Sequence, residues 1–200
     1  MKDNAPRRRG WLRRFTTVEL VFIATMIAAD FGFGLIVKPL LGASHITDVI
    51  RVDLIVPTML LLVTRLIVDK FGTLILYELL IGMLAMLAWP QSYGVPGPLK
   101  LPLFAAKGLV WDLSMSALRP WLGPRLFVTA ILGETVSATA AMGIKVLLGL
   151  PWVPLTQLLL GARLVTTVIV GSLGAAVAWA VWKAVRDTTI VRRIAAWRHG

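Results

Sequence analysis

The sequence predicts an all-α membrane protein, a six-transmembrane-helix bundle with both termini cytoplasmic. Three observations predict it: an apolar composition, six apolar runs long enough to cross a bilayer, and Lys/Arg concentrated in alternate connectors. Of 200 residues 58% are hydrophobic and 16% charged, and the mean hydropathy is +0.81. Soluble domains carry about 25% charged residues, which clothe their surface. A chain this apolar needs lipid around it, because in a bilayer the outside of a bundle can be as apolar as its core.

A hydrocarbon core of roughly 30 Å is crossed by about 20 helical residues. The first run, Phe15–Val37, follows Arg7-Arg8-Arg9 and Arg13-Arg14. It has the flank of a signal peptide but no small-residue cleavage site before a polar segment, so a retained helix is expected. The second, Leu54–Val68, is short and contains Pro57. The third is Phe71–Trp89 and the fourth Leu101–Leu118. The fifth is Leu126–Leu150, and the sixth, Val153–Trp182, is long enough to tilt. Turn chemistry punctuates them at Gln91–Pro98, Arg119–Pro124 and Gly149–Pro154. The organisation expected is a basic cytoplasmic segment at 1–14, a six-helix domain at 15–185 and a basic cytoplasmic tail at 186–200. The tail mixes Ile190, Val191, Ile194 and Trp197 with arginines, as an interfacial helix or an extension of the sixth helix would.

Orientation follows from positive charge. With the N-terminus inside, the cytoplasmic parts hold Arg65, Lys70, Arg119, Arg125 and both basic tails, fifteen Lys/Arg in all. The external loops hold three, Lys38, Arg51 and Lys100. The same distribution turns the net charge of +11 into a topology signal and speaks against nucleic acid as a partner. With no cysteine there are no disulfides, thiolate metal sites or Cys nucleophiles, and His45 and His199 are too few for a histidine metal cluster. No metal site is expected.

Glu19, Asp30, Glu78, Lys107, Asp112, Glu134, Lys145 and Arg163 interrupt the apolar runs. Each costs about 2.5–3.5 kcal/mol at a helix centre on insertion scales, so each should face the bundle interior or water. At 1.5 Å per residue, Lys107 lies about 9 Å and Arg163 about 15 Å below the external ends of their helices. Asp30, Lys107, Glu134, Lys145 and Arg163 thus gather in the middle-to-outer leaflet, as a pocket open to the outside would require. The cations would suit an anionic or zwitterionic solute, with Glu134 neutralising one or accepting hydrogen bonds. The competing reading is a set of structural ion pairs. Lys107 and Asp112, about 140° apart on one helix, are not placed to pair with each other. Ala24, Ala28 and Gly32 recur every four residues on the first helix, as do Ser137/Ala141 and Gly171/Ala175 elsewhere. Such stripes serve close helix approach, within the chain or to another one.

Taken together, these features resemble the S components of energy-coupling factor (ECF) transporters, along nearly the whole chain. The motif is Ala24-Thr-Met-Ile-Ala28 in the first helix; softer echoes are Lys107-Gly-Leu-Val-Trp-Asp112 on the fourth and the long first external loop, Pro39–Asp53. The Gly-rich Leu-Gly-Pro pattern around the second helix is absent, and Glu78 departs from the pattern. The resemblance implies a substrate-specific membrane subunit, not an enzyme, that captures a vitamin or related micronutrient from outside. Asp30, Lys107, Asp112, Glu134, Lys145 and Arg163 would contribute to the solute site, between loop one and helices four to six. Ala24, Ala28 and Gly32 would dock on a transmembrane coupling subunit. Two ATPase subunits would hydrolyse ATP; this chain has no phosphate-binding Gly-x-x-x-x-Gly-Lys-Ser/Thr loop and needs no cofactor of its own. Alternatives from other classes are an intramembrane enzyme, for which His-Glu-x-x-His and Gly-x-Ser-x-Gly are missing, and a stand-alone secondary carrier, for which no inverted repeat is evident.

Overall fold

The computed structural model describes residues 15–42, 52–88, 97–149 and 164–196, and all regular secondary structure among them is helical. Helix α1 is Thr17–Gly42. It opens with a capping box: the Glu19 carboxylate accepts from the Thr16 N–H at 2.8 Å, and the Thr16 hydroxyl accepts from the Glu19 N–H at 3.3 Å. It continues past the expected end at Val37 and through Pro39. Proline there removes one hydrogen bond in the last turn only, which a helix tolerates far better than a break in its middle.

A 3-10 turn, Val52–Leu54, leads into α2, Ile55–Val68, whose Pro57 sits in the first turn where its missing N–H costs nothing. Asp69, with φ 44°, ends α2, and Gly72, with φ 98°, completes the reversal into α3, Thr73–Ala88. Helix α4 is Lys100–Ala117. Helix α5, Leu122–Leu147, starts four residues before the expected Leu126, because Pro124 is accommodated in its first turn instead of breaking it. Helix α6 is described over Leu164–Val185; the sequence-predicted stretch before it, 153–163, lies outside the described residues. A turn at Arg186–Thr188 separates it from α7, Thr189–Ala196, so the tail carries a distinct short helix.

The helices form a ring. Around it α3, α4, α5, α6 and α2 pack neighbour to neighbour, and α1 closes the circle by lying against both α2 and α3. Leu62, Val68, Leu74, Tyr77, Trp111, Met115 and Leu126 fill the centre. Helices α3 and α4 meet closely: a Cβ at Gly108 would fall 2.8 Å from the Ile75 Cα and the Leu74 carbonyl oxygen, so only glycine fits there. Val191 and Ile194 of α7 are buried in the same core, against α2, while Arg192 and Arg193 are exposed.

Three helices, within Thr17–Val37, Leu122–Leu147 and Val165–Val185, are long and apolar enough to cross a membrane, and Thr73–Ala88 is a shorter apolar helix. In the most apolar stretches of those three only 22%, 28% and 28% of residues are buried. Their outer faces carry exposed Val21, Ile36, Leu40, Leu132, Val165 and Ile169, a covering that water does not favour and lipid does.

At the end of the ring formed by the α2–α3 and α4–α5 turns, a charge cluster ties the two hairpins together. Asp112 is its anchor. One carboxylate oxygen receives the Arg65 Nε–H at 2.8 Å, and the other accepts the backbone N–H groups of Gly72, Leu74 and Ile75 at 3.0, 2.9 and 3.1 Å. Asp112 on α4 thus caps the N-terminus of α3, where unpaired N–H groups and the helix dipole favour an anion. Arg65 also reaches Asp69 and Ser116, and Asp69 collects Arg119 and Arg125. Lys70 pairs with Glu19 at 2.7 Å, tying α1 to the same end.

Candidate functional site

A small, partly open cavity of about 50 Å³ lies among the helices. Its walls come from the first four helices. Asp30, Phe31, Phe33 and Gly34 of α1 form one side, and the Val52–Leu54 turn with Pro57 and Leu61 of α2 another. Glu78, Ile81 and Ala85 of α3 and Phe104 and Lys107 of α4 complete it. Helical spacing puts these groups on one face of each helix: Glu78, Ile81 and Ala85 step by three and four residues, as do Phe104 and Lys107.

Lys107 is the electrostatic centre. Its Nζ lies 3.2 Å from Oε1 of Glu78 and 3.0 Å from Oε1 of Glu134, and 5.1 Å from the centre of the Trp111 ring. One ammonium therefore bridges carboxylates from α3 and α5, with the indole face beneath it. Burial makes this triad tight, since opposite charges in a low-dielectric interior must be paired to persist. Its balance is unequal: two carboxylates face one ammonium. The second oxygen of Glu78, Oε2, is buried and accepts no hydrogen bond among the described residues, although Glu78 is only 2% exposed. Tyr77, the residue before Glu78, donates its hydroxyl to Asp30 of α1 at 3.0 Å, which fixes that carboxylate at the cavity wall. Asp53, 5% exposed, lines the cavity at the entrance of α2.

Of the sequence-predicted site residues, the fold brings Asp30, Lys107 and Glu134 together, the first two on the cavity wall and the third behind Lys107. Asp112 stands apart, about 8 Å further along α4 by helical rise, engaged with Arg65 and the α3 N-terminus. Lys145, near the C-terminal end of α5, does not line the cavity. Arg163 lies outside the described residues. The position of the cavity also differs from the expected one. Its described walls belong to α1–α4, with α5 contributing through Glu134, whereas the expectation favoured helices four to six.

Glu78, Tyr77 and Asp53 are the additions. Glu78 was visible as a carboxylate in an apolar run, and its spacing from Lys107 says nothing of contact; the α3–α4 packing through Gly108 makes the pair. Asp53 reads from sequence as an ordinary loop acid.

The stripe on α1 separates from its counterparts. Gly171 and Ala175 are buried, and a Cβ at Gly171 would sit 3.5 Å from the Ala130 backbone, so that pair serves packing between α6 and α5. Ala24 and Ala28 are exposed, and nothing lies within 4 Å of a Cβ built on Gly32. Helix α1 thus presents the cavity wall on one face and a bare small-residue groove on another. Comparison with protein-family models, curated proteins and solved structures returned no match.

Proposed function

We propose that this protein is the substrate-binding membrane subunit of an ECF-type importer, crossing the cytoplasmic membrane six times with both ends inside. It captures a vitamin-like solute from the external side and docks through α1 on a transmembrane coupling subunit, with ATP hydrolysed by two separate ATPase subunits. The observation that carries this reading is the double use of α1. Asp30, Phe31, Phe33 and Gly34 wall a cavity, while Ala24, Ala28 and Gly32 remain uncovered by the chain's own helices. A helix that touches solute on one face and a partner on another is the part a capture-and-release subunit needs, since occupancy can then alter the docking surface. Two further features support the arrangement. The charge cluster of Arg65, Asp69, Asp112 and Arg125 lies at the end assigned to the cytoplasm by the positive-charge bias, away from the cavity. Helix α7 packs its apolar face on α2 and leaves Arg192 and Arg193 exposed, which suits contact with anionic headgroups.

The test uses the exposed stripe. Ala24→Trp and Ala28→Trp have room to be accommodated without disturbing the bundle, so folding and solute binding should persist while co-purification with coupling and ATPase subunits, and uptake, are lost. Intact assembly and uptake in both variants would remove α1 from docking and with it the proposed role.

A further inference from the structure

Resting on the reading of the cavity as a solute site, we infer that its ligand is an organic cation, a protonated or quaternary amine carried on a flat apolar body. The sequence reading favoured an anionic or zwitterionic solute because it counted Lys107, Lys145 and Arg163 as ligand-facing cations. Lys107 is the described cation on the wall, and its ammonium is already held between Glu78 and Glu134 at 3.2 and 3.0 Å. An anionic ligand would have to draw that ammonium from two buried carboxylates and then lie beside them uncompensated.

Glu78 supplies the opposite attraction. Its Oε1 is committed to Lys107, whereas Oε2 is buried and has no hydrogen-bond donor among the described residues. A buried carboxylate oxygen without a donor costs free energy until one arrives; an N–H⁺ group provides it, while a quaternary ammonium, with no N–H to donate, is attracted by its charge alone. With all three groups ionised, the Glu78–Lys107–Glu134 triad carries one excess negative charge, which a ligand cation would neutralise. The remaining surface is aromatic. Phe31, Phe33 and Phe104 line the same cavity, and ring faces attract organic cations while accommodating a flat apolar body. Among the described residues no three carboxylate or imidazole groups converge as a metal would require, and phenylalanine offers a metal ion nothing.

The experiment uses the full-length chain in nanodiscs of zwitterionic lipid. Its probes are benzyltrimethylammonium, phenylacetate as the anion of similar size, and Mg²⁺, titrated by calorimetry and intrinsic tryptophan fluorescence. Saturable benzyltrimethylammonium binding, at least tenfold tighter than phenylacetate and unaffected by equimolar Mg²⁺, is expected. Glu78→Gln, which keeps size and shape, should weaken the cation at least tenfold and narrow its advantage over the anion. Should that variant lose its monodisperse profile, the wild-type ratio of cation to anion decides alone. Phenylacetate binding as tightly as the cation, displacement by Mg²⁺, or unchanged cation affinity in a folded Glu78→Gln protein would overturn the cation assignment while leaving a solute site. Failure of both organic probes to bind would overturn the solute-site reading itself.

Discussion

Gly133→Ala adds one methyl group to α5, and the structure says it cannot be placed. The new Cβ would fall on the Trp111 indole, against its Nε1, Cδ1 and Cε2. The indole has nowhere to retreat: Trp111 is 0% exposed, in the centre of the core, with the Lys107 ammonium over its ring. Overpacking a well-filled core costs about 1–3 kcal/mol and sometimes more, and a methyl group set against a buried indole belongs toward the top of that range. For a chain of this size about 3 kcal/mol corresponds to roughly 6–12 °C in melting temperature. Gly143→Ala is the matched control, because nothing lies within 4 Å of its added Cβ on the same helix. There the substitution should be neutral or raise stability by up to about 1 kcal/mol through helix propensity. The assay is thermal unfolding of purified protein in one detergent, followed by fluorescence-detected size exclusion. A pairing of Gly133→Ala with Trp111→Leu, which empties the contested space, should cost less than the sum of the two single changes. If Gly133→Ala melts within about 2 °C of Gly143→Ala, α4 and α5 do not meet through this glycine, and Trp111 is not the support on which Lys107 rests.

The charge cluster yields two more expectations. Asp112→Asn removes one of the two carboxylate partners of buried Arg65, leaving Asp69, and weakens the cap on α3. Breaking a buried pair outright costs about 3–5 kcal/mol, so melting in the same assay should fall by a cost up to that size; an unchanged melting temperature would show that Asp112 does not hold the hairpins. Asp69 reports on pH. Burial pushes its carboxyl up, but hydrogen bonds from Arg125 and Arg119 and the charges of Arg65 and Arg125 outweigh burial and hold it below the ordinary 3.8. A carboxylate depressed on folding stabilises the protein above its unfolded pKa and loses that contribution as pH falls through the lower folded value. Melting temperature should therefore drop more steeply below about pH 4 in the wild type than in Asp69→Asn; parallel curves would deny the cluster its role.

Much of this architecture was legible residue by residue. The run boundaries for α2, α3 and α4 fall within two residues of the observed helices, because apolar length and turn residues act locally. The prolines misled at Pro39 and Pro124: a proline's effect depends on which turn of a helix it occupies, and pattern alone does not locate the turn. For the site, the sequence singled out the ionisable groups through their cost of burial, which is a one-dimensional property. It could not sort them into clusters. Lys107 and Asp112, five residues apart on one helix, belong to different constellations because their partners arrive from other helices.

By itself, then, the sequence determined the helical class, the approximate extent of most helices, the charge asymmetry between connectors and the short list of polar groups that must face inward. Tertiary structure alone decided that Lys107 is shared by Glu78 and Glu134, that Asp112 caps α3, and that the α1 stripe stays uncovered while the Gly171–Ala175 stripe is buried. The physical reason is range. Hydropathy and helix propensity are set by neighbours along the chain, whereas ion pairing in a low-dielectric interior is settled within about 4 Å, by whichever helix the packing brings alongside.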